Sequence, residues 1–490
     1  MWISLHLPLL PLETFRPRWC DPGKHVVVDR EHVLVMTSEA AGSGVRIGMR
    51  RGGVSAIAPD ATIHERDEQL EQAASDSIAI ALLQYTPEVA FAEEAGLLLD
   101  VTASLRAFGG RLALCRRIRA SVRALGFTAQ IGMAPTAQGA WLLARYRAGR
   151  HRAMQRRVVR IESMARRLDA LPCSLLPEAR PYQDWLQGIG CRTLGDMRKL
   201  PRAGLQRRCS KEMLEALDRA YGQAPELFDW VQPPPSFSAR LELPDRIEHA
   251  EAVLFAARRL IVQMTGWLVA VQRAVSRFVL SLEHERGRVA IAPTPVEIAL
   301  AEPAWREDHL IRLLKERLGR IALTAPVIAI RLDAVQLAAM APPTESLFPD
   351  PGGTPADYRR LLELLTARLG GDSVLVPAPR ADHRPEVSNG WVPATIGGQA
   401  AIHETSFQYT ERPFWMLEQP IALPVRDHRP FHGSALRLIS GPERIECGWW
   451  DGALAVRDYF IAQGAESACY WIYRERADQQ ARWFLHGLFA

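Results

Sequence analysis

Residues 91–104 read FAEEAGLLLDVTAS. Two adjacent glutamates, Glu93 and Glu94, stand before a run of three leucines that ends in Asp100, which is the composition of a short strand with carboxylates at both ends. Magnesium takes hard oxygen ligands, and a two-ion site needs at least two or three such groups with the ions about 3.5–4 Å apart. The position of each carboxylate along the strand therefore decides whether this stretch can hold metal.

The flanking sequence supplies the rest of a sheet. Short strands are expected in VAFAEEAGLLLDVT, a helix in GRLALCRRIRASVRALG stopped by Gly126, a strand in TAQIGMA and a helix in TAQGAWLLARYRAG. Upstream, WISLHL reads as a strand. RDEQLEQAASDSIAIALLQYTP reads as a helix with Leu70, Ala73, Ile78, Ala81 and Leu82 on or near one face, ending at Pro87. Strand, helix, two strands, helix, strand is the order of a ferredoxin-like sheet. It is expected over residues 1–19 and 66–165, with 20–65 inserted as a hairpin (HVVVDREHVLVMTS) and a Gly-rich, weakly helical connector.

Residues 166–232 read as short-looped helices closing at the proline run QPPPSF, a linker by composition. A second α+β unit is expected over 237–335 and an exposed Pro-rich linker over 336–356. The region 357–490 opens with the helix DYRRLLELLTARLG and is β-rich thereafter, with six of the thirteen tryptophans in its last hundred residues.

At 490 residues the chain exceeds one core and suggests three to five domains. No run of about 18 apolar residues is apparent, and MWISLHLPLLPLETF lacks the basic front and cleavage site of a signal peptide, so a cytoplasmic, nucleoid-associated protein without membrane contact is expected. The seven cysteines are scattered without CxxC spacing, which points to reduced thiols and no zinc site. Net charge is +5, from 60 Lys+Arg against 55 Asp+Glu. Residues 111–220 hold 23 Lys+Arg against 8 Asp+Glu, a local balance of +15, so the remainder carries about −10. A basic middle segment suggests a surface facing polyphosphate.

Four strings in order, GVRIGMRRGGVSAIAPDA, LLLDVTAS, GFTAQIGMAPTAQGAWLLA and WLQGIGCRTLGDMRKLP, resemble the Y-family of lesion-bypass DNA polymerases over residues 1 to about 335. The resemblance implies a multidomain α+β architecture: a palm (1–19 and 66–165) with inserted fingers (20–65), a helical thumb with a helix-hairpin-helix (166–232) and an α+β little finger (237–335). It also implies metal-holding carboxylates at the end of the first strand and in the pair containing LLLD. Here the matching positions are His6, Pro8, Ala95 and Gly96, none of them a carboxylate. Glu93, Glu94 and Asp100 stand too far along to substitute, because two residues shift a strand side chain by about 6–7 Å and one residue turns it to the other face. The family's triphosphate contacts fall on Ser38, Ala41 and Ala148, where no cation stands. This double loss, with the tail strings GPERIECGWWDG, RDYFIA and RWFLHGLFA, resembles the catalytically silent ImuB-type branch, for which no cofactor is expected.

Binding residues remain. The thumb turn Gly188 to Gly190 lets backbone amides approach a phosphate, and Arg192, Arg198, Lys199, Arg202, Arg207, Arg208 and Lys211 stand nearby. The run RYRAGRHRAMQRRVVRIESMARR holds nine arginines and one acid and joins palm to thumb. Thr344, Glu345, Ser346, Leu347 and Phe348 resemble the sliding-clamp-binding pentapeptide, with Leu347 and Phe348 as anchors. The tail shows no catalytic or metal spacing, and His486 and Cys447 read as packed or surface residues. The resemblance implies an adaptor holding primer-template DNA, the sliding clamp, an ImuA-type RecA-like protein and an error-prone C-family DNA polymerase. An active polymerase with a rearranged metal site and a DNA-binding structural protein unrelated to synthesis are the alternatives.

Overall fold

The computed structural model describes residues 1–20, 23–146, 156–285, 291–323, 325–340, 355–394, 412–476 and 482–489. The chain divides into two compact units, Met1–Arg368 and Leu369–Ala490.

In the first unit β1 (Trp2–His6) leads through a turn into the short α1 (Leu10–Glu13). The inserted fingers follow, with β2 (His25–Asp29) and β3 (His32–Met36) forming the expected hairpin. The connector carries α2 (Ser38–Gly42) and α3 (Arg51–Ile57), then β4 (Thr62–Glu65), which pairs parallel to β2. The fingers are thus a three-stranded sheet closed over Val26, Val28, Val45 and Val54. The strand β4 is a departure from the expected helical connector: four largely polar residues give no alternating pattern, and only the pairing with β2 defines them.

The palm resumes with α4 (Glu68–Leu82), whose N-cap Asp67 accepts from the amides of Gln69 and Leu70 at 2.9 and 3.0 Å. Its buried face is Ala74, Ile78, Ala81 and Leu82, whereas Leu70 and Ala73, expected on that face, are exposed. Then come β5 (Val89–Ala92), β6 (Gly96–Asp100), α5 (Arg111–Ala124), β7 (Gln130–Ala134) and α6 (Ala137–Arg145). The strand order is β5-β6-β1-β7, all antiparallel, as the ferredoxin-like reading requires. Period-two alternation sends Ile3, Leu5, Leu97, Leu99, Ile131 and Met133 to one face against α4 and α5. Leu98 goes to the other face, against α6 and the thumb.

The thumb consists of α7 (Ile161–Leu168), two 3-10 turns, α8 (Gln183–Gly188), α9 (Leu194–Lys199), α10 (Arg202–Arg208) and α11 (Lys211–Tyr221). It shares a core with α6, so palm and thumb are continuous. The segment after α11 returns to the palm. Trp230 bridges to Ala90, the Val231 amide donates to the Val89 carbonyl at 2.8 Å, and Phe228 and Trp230 pack on Trp2.

The little finger comprises β8 (Ser238–Ile247), α12 (Val253–Ala270), β9 (Arg273–His284), β10 (Thr294–Ala304), α13 (Glu307–Leu318) and β11 (Val327–Ala339). Its strand order, β10-β9-β11-β8, differs from the palm's although the succession of elements is the same. Among the described residues only 250–270 form a helix long and apolar enough to cross a membrane, and most of it is buried inside this fold. At Gly266 of α12 a Cβ would meet the Ile80 carbonyl oxygen at 2.3 Å and the Ala81 Cα at 2.6 Å, so α12 lies backbone against backbone on α4 of the palm. Val262 enters the palm core and Arg16 pairs with Asp245 at 2.9 Å across the same seam. The proline run is pinned rather than loose, because the Trp267 indole donates to the Pro234 carbonyl at 2.7 Å. The helix α14 (Pro355–Leu369), expected to open the C-terminal region, instead packs on the little finger through Leu364, Ala367 and the His309–Glu363 pair at 2.8 Å.

The second unit is β-rich, as expected. A five-stranded antiparallel sheet runs Trp415–Leu423, Arg482–Leu488, Cys469–Glu475, Ala455–Gln463, Arg437–Cys447, accompanied by a hairpin of Leu375–Pro379 with Asn389–Pro393. Tyr459, Trp471 and His486 stack at its centre, with Tyr473 edge-on to His486.

Candidate functional site

The site implied by the first strand and by FAEEAGLLLD forms at one end of the palm sheet. β1 and β6 pair so that His6 stands opposite Gly96, on the face turned toward α6. The hairpin between β5 and β6 turns through Glu93, Glu94 and Ala95, the last two with φ of +54°. His6 Nδ1 lies 3.1 Å from the Glu94 carbonyl oxygen, and the Leu7 amide donates to the Ala95 carbonyl at 3.1 Å. Pro8 sits in the turn that leaves β1.

Space at position 96 is taken. The Trp141 indole, on α6, donates to the Glu93 carbonyl at 3.2 Å, and a Cβ on Gly96 would lie 2.9 Å from both that nitrogen and that oxygen. Arg145, one helical turn on, stacks its guanidinium 4.2 Å from the Trp141 ring, donates to the Leu175 carbonyl at 2.6 Å and pairs with Glu94. Arg180, from the thumb, reaches the same carboxylate at 2.5 Å. Glu94 is therefore held between two guanidinium groups, one from the palm and one from the thumb. Burial is the main influence on Arg145, lowering its pKa, while the Glu94 charge acts in the opposite direction.

Asp100 lies at the far end of β6, opposite Trp2 and four residues from Gly96, about 13 Å along the strand. There it accepts from the Thr102 amide at 2.9 Å and faces the chain's amino terminus at 3.5 Å. These residues do not fit the two-magnesium centre that the family resemblance implies. The strand pair presents an imidazole and a glycine, the Glu94 carboxylate is engaged by two arginines, Glu93 stands exposed in the turn as a single carboxylate, and Asp100 is at the opposite edge. Among the described residues no group of three or more His, Cys, Asp or Glu is placed to hold a metal ion.

The positions matching the family's triphosphate contacts are equally plain. Ser38 and Ala41 are exposed on α2, where the Ser38 hydroxyl donates to Glu39 at 3.0 Å and Thr37 supplies the cap. Ala148 lies outside the described residues.

The thumb hairpin departs from the backbone-clasp expectation. Gly190 does adopt a left-handed φ of +81°, but the amides around it are already satisfied. Ile189, Gly190 and Cys191 donate to Trp185, Gln187 and Leu186, while Leu194 and Gly195 donate to Leu171 and Asp169. Asp196 accepts from Arg192 and Thr193 at 3.4 and 3.1 Å, completing a capping box that sets a carboxylate where a phosphate was expected. Gly188, at the end of α8, has open space around it. Phosphate contact here thus falls to side chains, and these divide into two groups. Arg198 is 3.5 Å from Asp169 and stacks on Tyr221, Lys199 faces Asp196, Arg202 forks onto Asp218, and Lys211 pairs with Glu215. Arg192, Arg207 and Arg208 are exposed and make no ion pair among the described residues.

The clamp-like peptide, Thr344 to Phe348, lies outside the described residues. His486 and Cys447 are both buried. The imidazole Nδ1 is 2.8 Å from the Tyr459 hydroxyl. The sequence reading missed the parts played by Trp141, Arg145 and Arg180. The four-residue spacing of Trp141 and Arg145 on one helix was the available signal, and it was submerged in the arginine run.

Residues 21–145 match the model of the impB/mucB/samB family. The chain is 25% identical over 469 residues to Protein ImuB of Caulobacter vibrioides, in strains NA1000 / CB15N and ATCC 19089, covering 91% of this chain and 100% of the relative. Among solved structures, a Dbh ternary complex with substrates partially disordered matches at 19% identity, 68% of this chain and 99% of that one, with a TM-score of 0.39. DinB from Sulfolobus solfataricus matches at 18%, covering 68% and 98%, with a TM-score of 0.38.

Proposed function

We propose that this ImuB-type homologue, carrying its impB/mucB/samB segment at residues 21–145, is a non-catalytic polymerase-like adaptor in damage-induced mutagenesis and translesion DNA synthesis. One observation carries the reading: His6 faces Gly96 across the strand pair, with the Trp141 indole in the space a side chain at 96 would need. Two-metal chemistry needs anionic ligands at that point, and none stands there.

The adaptor holds DNA through exposed cations such as Arg192, Arg207 and Arg208. Such contacts position a duplex without reading its sequence and weaken steeply with salt. It binds the sliding clamp through residues 344–348, with Leu347 and Phe348 as the anchors, and docks an ImuA-type RecA-like protein and an error-prone C-family polymerase through the C-terminal region. Tethering these partners raises the effective concentration of the true polymerase at a lesion without new chemistry.

Primer extension with purified protein, dNTPs and Mg²⁺ or Mn²⁺ tests the reading. No extension is expected. Extension that Asp100→Ala abolishes would establish the rearranged-site polymerase instead. For the clamp, a pull-down with Leu347→Ala combined with Phe348→Ala is expected to lose binding, and undiminished capture assigns the contact elsewhere.

A further inference from the structure

The helix α5 carries a feature that the thumb-side contact leaves unused. Its fourteen residues, RLALCRRIRASVRA, hold five arginines and no acid. All five, Arg111, Arg116, Arg117, Arg119 and Arg123, are exposed, and none forms an ion pair among the described residues. Elsewhere in the same unit exposed arginines are neutralised locally: Arg202 by Asp218, Arg240 by Glu242 and Glu283, Arg277 by Glu297. Unpaired exposed arginines occur elsewhere in the unit, Arg192, Arg207 and Arg208 among them, but α5 gathers five on one helix without an acid.

At 100° per residue Arg116, Arg119 and Arg123 fall within a 60° arc, and the first and last are about 10 Å apart along the axis. The opposite face, Leu114, Cys115, Ile118 and Val122, is buried in the palm core, which fixes the stripe outward. More positive charge adjoins it. Arg157 extends the palm sheet at a parallel bridge with Met133 of β7, and Arg119 is close enough to act electrostatically on Arg156 and on the Cys115 thiol. Uncompensated like charges repel, so this cluster becomes favourable only when an anion meets it.

Three kinds of anion could do so, and the surface discriminates among them. A membrane-surface helix needs its apolar face free, but that of α5 is in the core. A protein partner needs apolar or aromatic anchors, and the stripe offers a single one, Leu112, 56% exposed. A phosphate backbone needs only forked, permanently charged donors at regular intervals, which is what this face supplies. We propose that Arg116, Arg119 and Arg123, with Arg157 beside them, form a second nucleic-acid backbone contact. It lies on the face of the palm sheet covered by α4 and α5, opposite the face that carries His6 and Gly96. The surface stands on its own geometry, whether or not the thumb contact or the adaptor reading is right.

The experiment compares the full chain with Arg116→Ala/Arg119→Ala/Arg123→Ala, the corresponding Arg→Lys triple, Arg192→Glu/Arg208→Glu, and the alanine triple combined with the last. It measures binding of labelled random-sequence duplex and single-stranded oligonucleotides by fluorescence anisotropy across a salt series. The α5 triple variant is expected to lose about tenfold or more in affinity, with the slope of log K against log salt falling by about 2–3, as three lost phosphate contacts require. The Arg→Lys triple variant, which keeps the charge but not the fork, should lose less than the alanine variant. Losses from the α5 and thumb variants should combine multiplicatively, and a thumb variant without effect would remove the thumb reading alone. Unchanged affinity and slope in the α5 triple variant overturn the proposal. So does a loss confined to anionic phosphatidylglycerol vesicles or to a polyglutamate peptide. Arginine-selective labelling of the unmodified protein gives a second readout: nucleic acid should protect Arg116, Arg119 and Arg123, and equal labelling with and without it rejects the surface.

Discussion

A Cβ on Gly96 would lie 2.9 Å from the indole nitrogen of Trp141, so the two residues fit only while one of them has no side chain. Gly96→Ala is expected to lower stability by about 1–3 kcal/mol through overpacking, measured by chemical denaturation. In a Trp141→Ala background the cost of Gly96→Ala should be smaller, although Trp141→Ala is itself destabilising because the indole is buried. Two substitutions whose effects simply add would mean that the indole can move aside.

Glu94 gives a second prediction, because its two arginines differ in burial. Arg145→Met removes a buried guanidinium bonded to both Glu94 and the Leu175 carbonyl, and should cost about 2–4 kcal/mol. Arg180→Ala removes a partner whose side chain is 42% exposed, and should cost less than about 1 kcal/mol. Equal losses in urea denaturation would contradict the distinction.

Much of this arrangement was legible in the sequence, for reasons that can be located. The palm followed from local signals: the short apolar run ending at Asp100, the helical pattern that ends at Pro87 and the helix stop at Gly126. What escaped depends on pairing between distant segments. Thr62–Glu65 is a strand only because β2 lies beside it, and residues 228–231 join the palm only because Trp2 and β5 receive them. DYRRLLELLTARLG reads as a helix from sequence, but nothing in its pattern tells which unit it covers. The Gly188–Gly190 turn was read correctly as a turn. Its own amides close on Trp185, Gln187 and Leu186 of the helix before it, and those that follow are taken by Leu171, Asp169 and Asp196, acceptors from a preceding segment and a cap that a local reading does not weigh.

Arg259 of α12 is 7% exposed, lies 4.9 Å from the Phe127 ring and has no ion pair among the described residues. Burial lowers its pKa to about 10. A buried cation without a carboxylate is costly, and the aromatic face offsets only part of that cost. Arg259→Met is therefore expected to leave the thermal midpoint unchanged or to raise it. A fall of more than about 2 kcal/mol in denaturant would show that the charge has an essential role.

His486 supplies a pH prediction for the C-terminal unit. Burial holds its pKa below the ordinary imidazole value of about 6.5, with Glu386 acting in the opposite direction and Arg457 in the same one. As the pH falls through 6.5 the unfolded chain therefore takes up the proton first, and stability declines until the folded pKa is reached. The loss for this one group is at most about 1.4 kcal/mol per pH unit. Thermal melts followed by tryptophan fluorescence between pH 7.5 and 5 should show this decline, because Trp471 stacks on the imidazole. His486→Phe should flatten it, and an unchanged profile would assign the dependence to other groups.

The contact at Gly266 removes a degree of freedom. With one helix axis seated on another and Trp267 fastened to the connecting prolines, the little finger cannot swing from the palm without tearing a backbone-to-backbone seam. A gripping hand needs a joint at that place. This chain has a weld instead, which sets the spacing of the two domains.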